Sequence, residues 1–332
     1  MKIRRLLLGL VAVTVLVSCE PPAPSSEEVS ESETSAVSAS EEPNSESLSV
    51  ESSSAESSSE WVAPEPVRRV AEYWNFTPLS AYTGDFWSTI DFSLRGEALR
   101  QALETYMWSK MKKVYYYDAF HAVKIMDADP NNPDNILSVY DLKSQPHAAY
   151  NRGKWNREHA FPQSKLADGD PSLRTGGAEP NISTDIANIF ACDALLNENR
   201  SNYSYSEWNY DDDPQFYYQH LQRNTAGELV DSILYFGYYS PTPIVRGEIA
   251  RSQLYMLIMY PERCNIQENF RIEDMIKWDR EWAPTVERDG QRQIGIEQYQ
   301  KIRNPFIDNR NLSCYIWGDH NRACRKLCAG IY

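Results

Sequence analysis

The chain has 332 residues, a formal net charge of −14 and 42% hydrophobic residues. The acidity is uneven: residues 20–60 hold 11 acidic side chains and no basic one, while residues 1–19 carry Lys2, Arg4 and Arg5, so residues 61–332 sit near −6. That balance argues against a broad repressor-like footprint on nucleic acid, but it does not exclude a local basic groove.

Residues 1–19 read as an export signal, with a charged start, an apolar run over 6–17 and the ending Leu16-Val17-Ser18-Cys19. An apolar run of that length is too short to span a bilayer. The ending resembles a bacterial lipobox, which predicts lipidation of Cys19 and a membrane anchor on an extracytoplasmic protein; the alternative is an ordinary secretory signal. Residues 20–60 form a Ser/Glu/Pro tract with almost no large apolar side chain. Such a segment cannot bury enough surface to offset its ordering entropy, so a disordered, extended tether is expected.

From Trp61 aromatic residues become dense, and about 270 residues suffice for one large domain with its own core. The spacing of Leu94, Ala98, Leu99, Ala102, Tyr106 and Met107 predicts an amphipathic helix over 94–114. A second helix is expected over 118–126, then a turn in the DADPNNPDN run and an alternating strand over 136–142. Helices are expected over 182–191, 194–200, 229–235, 246–260 and 272–281. The fold class is therefore α+β, mainly helical with a small β element. Five cysteines follow Cys19: Cys192, Cys264, Cys314, Cys324 and Cys328. Outside the cytoplasm they allow up to two disulfides and one thiol. The last three suggest a stapled tail over 313–332, since a zinc site there would need His320 as its fourth ligand.

The chemistry concentrates in two segments. One is Trp155-Asn156-Arg157-Glu158-His159-Ala160-Phe161-Pro162, and the other runs from Thr184-Asp185-Ile186-Ala187-Asn188-Ile189 through Asn197-Glu198-Asn199-Arg200-Ser201-Asn202. Phosphodiester hydrolysis needs a deprotonated water, charge compensation at phosphorus and a stabilised leaving oxygen. A histidine near its ordinary pKa of about 6.5 suits the first task. A hard divalent ion on oxygen ligands such as Glu158 and Asn197 suits the others, and an arginine can hold phosphate with paired hydrogen bonds. Each piece alone is weak: a lone histidine is more often structural, and residues 197–202 could simply end a helix.

Read together, the segments resemble the bacterial endonuclease I family of His-Me finger (ββα-metal) nucleases. Arg157-Glu158-His159-Ala160-Phe161-Pro162 matches its first signature. Residues 184–189 and Leu196-Asn197-Glu198-Asn199-Arg200-Ser201-Asn202 match its second at the same internal spacing. Asp127-Ala128-Asp129-Pro130-Asn131-Asn132, Arg246-Gly247-Glu248-Ile249-Ala250-Arg251 and Arg303-Asn304-Pro305-Phe306-Ile307-Asp308 extend the likeness across about 73–312. The resemblance implies a small ββα-metal element, with His159 as general base and Glu158 and Asn197 as ligands of a divalent ion, Mg2+ with Mn2+ or Ca2+ as substitutes. Arg200 would touch phosphate or brace the metal-bearing helix, and Arg174, near Gly176-Gly177, would contact substrate phosphate. Ala187 replaces a histidine usual in the family, so any role of that residue is absent, and Asp185 and Asn188 read as helix caps or supporting groups.

The expected organisation is a signal over 1–19, a tether over 20–60, a nuclease domain over 61–312 and a Cys-rich tail over 313–332. The expected function is a monomeric, exported, magnesium-dependent endonuclease acting on DNA, with RNA as a second substrate and little sequence preference. The competing readings are a catalytically inactive nucleic-acid-binding surface lipoprotein and a phosphatase acting on small phosphoesters.

Overall fold

The computed structural model describes residues 74–176, 179–209, 211–264 and 269–332. The export signal, Cys19 and the tether over 20–60 lie outside the described residues. Among the described residues the fold is α+β, with helices packed around three small sheets.

Helix α1 (Gly96–Lys110) buries Leu99, Leu103 and Met107, a 4-residue spacing that keeps one stripe inward. Ala98, expected on that stripe, is exposed, and Arg100 is buried in its place through bonds to Glu97, Glu104 and the Ile258 carbonyl. Helix α2 (Tyr116–Met126) leads into β1 (Ala128–Asp129), β2 (Asn132–Leu137) and β3 (Ser144–Pro146), an antiparallel sheet in that order. The strand expected over 136–142 is displaced. It ends at Leu137, and residues 138–142 turn, closed by the Leu142 amide on the Ser138 carbonyl at 2.8 Å with Leu142 at φ +44°.

Strands β4 (Trp155–His159) and β5 (Ile189–Asp193) form a two-stranded antiparallel sheet followed directly by α4 (Ala194–Arg200), after the short helix α3 (Gln163–Ala167). The helix expected over 182–191 does not form. Asn181 and Asp185 side chains accept from the Ser183 and Ala187 amides, which favours two short 3-10 turns, and the apolar run Ile189-Phe190-Ala191-Cys192 then enters the core as a strand.

Strand β6 (Ser204–Tyr205), helix α5 (Pro214–His220) and strands β7 (Leu221–Arg223), β8 (Leu229–Tyr235) and β9 (Tyr238–Ser240) follow, in the sheet order β6-β9-β8-β7. Residues 229–235, expected as a helix, are strand β8. Tight turns at both ends fold it back on its neighbours: Gly227 at φ +78° before it, and Phe236 and Gly237 at +43° and +82° after it.

The centre of the fold is α6 (Arg246–Met259), every residue of which is buried. It packs against α7 (Ile272–Glu281), with a backbone approach so close that a Cβ on Gly247 would lie 2.3 Å from the Trp282 carbonyl oxygen. Helix α8 (Gln291–Gln300) packs on α2 in the same manner at Gly295, where a Cβ would meet Met126 at 2.2 Å. Helices α9 (Pro305–Asp308), α10 (Leu312–Trp317) and α11 (Arg322–Leu327) close the chain. Cys314 and Cys328 form a disulfide there, and Leu312, Cys314, Ile316 and Cys324 belong to the same hydrophobic core as α1 and α6. Cys192, Cys264 and Cys324 are free and buried.

Candidate active site

The antiparallel register of β4 and β5 sets the site. Glu158 pairs with Phe190 and His159 with Ile189, and alternation sends the two side chains to opposite faces. The ladder runs past His159. The Ala160 amide bonds the Asn188 carbonyl, and the Asn188 side chain exchanges two hydrogen bonds with the Phe161 backbone, at 2.6 and 2.9 Å. Asn188 thus fixes the strand end next to the histidine. Asp185 has a similar structural position, accepting from Tyr255, Tyr260, Gln300 and the Ala187 amide.

On one face Glu158 is buried. Its Oε1 accepts from the Tyr140 hydroxyl at 2.7 Å and lies 3.3 Å from Arg200 Nη1, and Tyr140 is hydrogen-bonded to Tyr205 at 2.7 Å. Burial pushes the Glu158 carboxyl above its ordinary range, against the pull of Arg200 and of the Tyr140 hydrogen bond. The turn over 138–142 that displaced the expected strand is what delivers Tyr140 here.

On the other face His159 Nε2 lies 2.8 Å from the Ser183 carbonyl, and its ring sits 6.0 Å from Tyr116 in a stacked arrangement. A carbonyl can only accept, so Nε2 carries the hydrogen and Nδ1 presents the lone pair. Burial, reinforced by the positive charges of Arg157 and Arg200, holds the His159 pKa down at about 4 despite the Ser183 contact. The ring is therefore neutral near pH 7.

Helix α4 stands over β4. Asp193 caps it by accepting from the Leu195 and Leu196 amides, and Asn197 and Arg200, three residues apart, share one face. The Asn197 amide nitrogen donates to Asn156 Oδ1 at 2.5 Å and to the Arg157 carbonyl at 3.2 Å. Its Oδ1 accepts no hydrogen bond among the described residues, so the amide oxygen is the end left open. Arg200 has no exposed surface. It donates to the carbonyls of His159, Ala160 and Ser201 and lies over the Tyr205 ring. It is placed as a brace between α4 and the end of β4, out of reach of a phosphate arriving from solvent.

The structure therefore brings Glu158, His159, Asn197 and Arg200 to one strand end. Arg174 is exposed on a separate loop, where its carbonyl accepts from the Asn181 side chain at 3.0 Å. Among the described residues no group of three or more His, Cys, Asp or Glu side chains could hold a metal ion. The available donors are the Glu158 carboxylate and the Asn197 amide oxygen. These are hard oxygens of the kind that suit magnesium, which keeps several waters and needs few protein ligands. Sequence reasoning missed Ser183, Tyr140 and Asn156. Ser183 and Tyr140 act through a carbonyl and a turn that leave no motif, whereas Asn156 could have been found from its place beside the Arg157-Glu158-His159 run.

The chain can now be compared with known proteins. The family model described as Endonuclease I matches residues 95–311. The chain belongs to the endonuclease I family. It is similar to an extracellular ribonuclease of Bacillus amyloliquefaciens, 26% identical over 241 residues that cover 67% of this chain and 74% of the relative. An extracellular ribonuclease of Bacillus subtilis (strain 168) is 27% identical over 242 residues, covering 67% of this chain and 75% of the relative. An extracellular deoxyribonuclease of Aeromonas hydrophila is 29% identical over 188 residues, covering 54% and 75%. The matched span contains every residue of β4, β5 and α4, and as a member of this family the chain is a nuclease.

Proposed function

We propose that this endonuclease I family member is an exported, magnesium-dependent endonuclease that hydrolyses phosphodiester bonds of DNA, with RNA as a second substrate and little sequence preference. The observation that carries the reading is the state of His159. Its Nε2 is committed to the Ser183 carbonyl, its ring is neutral, and Nδ1 has no partner among the described residues. A neutral imidazole with one nitrogen anchored and the other open can accept a proton, although its pKa of about 4, below the 6.5 expected from the sequence, makes it a weaker base than a free histidine. Relatives named as an extracellular deoxyribonuclease and as extracellular ribonucleases support export and both substrates.

In this reading His159 Nδ1 takes the proton of the attacking water, and Arg200 is a positioning residue that fixes the His159 backbone and the Glu158 carboxylate. Glu158 and Asn197 hold the divalent ion, for which Mn2+ or Ca2+ could substitute. When bound, the ion supplies charge compensation at the scissile phosphate and the leaving oxygen. Arg174 contacts a substrate phosphate. Residues 61–312 form the nuclease domain and 313–332 its tail, and the protein acts as a monomer tethered to a membrane through lipid on Cys19.

The test uses plasmid DNA with magnesium, with EDTA and with His159→Ala. Nicking and linearisation by the wild type, abolished by EDTA and by the substitution, are expected. Equal cleavage by wild type and His159→Ala would overturn the assignment of the base, and binding without cleavage would favour an inactive surface binding protein.

A further inference from the structure

Residues 108–117 read Trp-Ser-Lys-Met-Lys-Lys-Val-Tyr-Tyr-Tyr, with three lysines, four aromatics and no acidic residue in a chain whose net charge is −14. The segment joins α1 to α2 and is pinned at several points. The Trp108 indole donates to the Met259 carbonyl at 3.1 Å, the Lys112 amide donates to the Gln300 carbonyl at 2.8 Å, and the Tyr116 carbonyl accepts from Arg157. Its aromatic rings are partly exposed, Trp108 at 36%, Tyr115 at 51% and Tyr117 at 75%, with Lys113 Nζ 6.0 Å over the Trp108 ring and the Tyr115 hydroxyl donating to Glu179.

Its two ends meet the candidate active site. At one, the Tyr116 ring stacks near His159 and carries the Arg157 guanidinium 3.4 Å from its centroid. At the other, Trp108, Met111 and Lys113 line a largely apolar groove of about 390 Å³ shared with Ile182, Thr184 and Arg263. Ile182 and Thr184 flank Ser183, the residue whose carbonyl holds His159. Lys113 and Arg263 are exposed and form no salt bridge among the described residues. A groove of that volume falls within the range of about 300–1,000 Å³ usual for small-ligand sites.

We infer that this strip and groove bind an unpaired stretch of the substrate strand, with bases stacking on Trp108, Tyr115 and Tyr117 and phosphates on Lys113 and Arg263. The charge complements a polyanion and the rings complement bases, but only a base that is not paired within a helix offers its face to a side chain. The strip therefore makes single-stranded nucleic acid the preferred substrate class of the site. The inference rests on the nuclease reading above for its ligand, though not for its test.

The test measures binding of the full chain in EDTA, where cleavage is not required, to a fluorescent twelve-nucleotide thymidine strand, to the matching uridine strand and to a blunt DNA duplex. Tighter binding of both single strands than of the duplex is expected. Trp108→Ala should weaken single-strand binding by roughly fivefold or more, the scale of one lost stacked base, and Trp108→Phe should restore most of it. Lys113→Gln and Arg263→Gln should each reduce the slope of log Kd against log salt by about 0.7, one phosphate contact apiece. Independently of folding in any variant, a strand carrying 5-bromouracil should photo-crosslink to the wild-type peptide containing Trp108 or Tyr115. Equal affinity for duplex and single strands, an unchanged Kd in Trp108→Ala, or crosslinks only elsewhere would overturn the inference. Trp108-dependent binding by a protein that, once magnesium is added, cuts neither plasmid nor the single strands would overturn the nuclease reading alone, and cleavage without such binding would overturn the strip alone.

Discussion

Helix α6 and the β4–β5–α4 element both bury charged side chains, and they differ in how completely those charges are matched. Arg251 in α6 donates to both oxygens of Asp289 at 2.6 and 2.8 Å, lies 3.4 Å from Asp279 and donates to the Trp282 carbonyl. Glu248, one turn earlier, takes the Arg288 guanidinium at 3.1 Å. At the end of β4 the matching stops short. Arg200 is committed to carbonyls and to Glu158, yet Asn197 Oδ1 and His159 Nδ1 have no partner among the described residues. The charges of α6 are matched by their ionic partners, whereas His159 Nδ1 and Asn197 Oδ1, which are not among the sealed polar atoms, keep lone pairs available for chemistry.

The sharpest way to break that comparison is to remove one member from each place. His159→Ala should cost about 10²–10⁴-fold in cleavage rate. It should cost only about 1–3 kcal/mol in unfolding free energy, the penalty of leaving the Ser183 carbonyl without its partner. Arg251→Ala should do the reverse. It strands two buried carboxylates and should lower stability by about 3–5 kcal/mol, while the folded fraction retains its rate constant. Urea unfolding and single-turnover cleavage on the same samples decide it. If both variants lose stability equally, the two regions are one network and the distinction fails.

What was legible in the sequence follows the same division. Helices 246–259 and 272–281 were visible because long periodic or apolar runs leave little alternative, and Gly247, in the first turn of the former, does not interrupt its run. Glu158, His159 and Asn197 stood out because their residue types and spacing resemble the family pattern, and the structure places them on β4 and the helix packed over it. The strand β8 was not: Leu229-Val230-Asp231-Ser232-Ile233-Leu234-Tyr235 suits either structure, and the turns at Gly227 and Phe236-Gly237 decide the matter. Nor was β5, where Asn181 and Asp185 divert the backbone before a helix can start. Ser183 and Tyr140 were illegible because the first acts through its carbonyl and the second depends on a turn placed by long-range packing. Ala98, expected inward, is exposed because Leu103 rather than Ala102 continues the stripe from Leu99.

The protonation of His159 gives a second, comparable handle. Its folded pKa of about 4 lies below the ordinary value of 6.5, so the unfolded chain binds the proton more readily than the folded one. The neutral ring therefore contributes stability that is fully present above pH 6.5 and is lost as pH falls towards 4, in total about 3 kcal/mol at ~1.36 kcal/mol per unit. The stability of wild type relative to His159→Gln should fall by about 3 kcal/mol between pH 7.5 and pH 4, the titration of Glu158 being common to both. A gap that stays constant across that range would show that the ring is solvated and that its neighbours do not hold it neutral. Cleavage should persist below pH 6.5 and fail at more acid pH, where both the His159 ring and the Glu158 carboxylate, raised by burial, take up protons.

The smallest expected effect tests how Asn197 is aimed. Its amide nitrogen is held by Asn156 Oδ1 at 2.5 Å and the Arg157 carbonyl at 3.2 Å, which together point Oδ1 away from the strand. Asn156→Ala removes the closer acceptor and leaves the carbonyl, so the side chain keeps one anchor and gains rotational freedom. A neutral hydrogen bond contributes about 1 kcal/mol, which corresponds to roughly a fivefold rise in the magnesium concentration needed for half-maximal cleavage. Asn156→Asp retains the acceptor and should fall closer to wild type. If Asn156→Ala leaves the magnesium requirement unchanged while lowering stability, then Asn156 belongs with Arg251 among the groups that serve the fold, and the open oxygen of Asn197 is not aimed by its neighbour on β4.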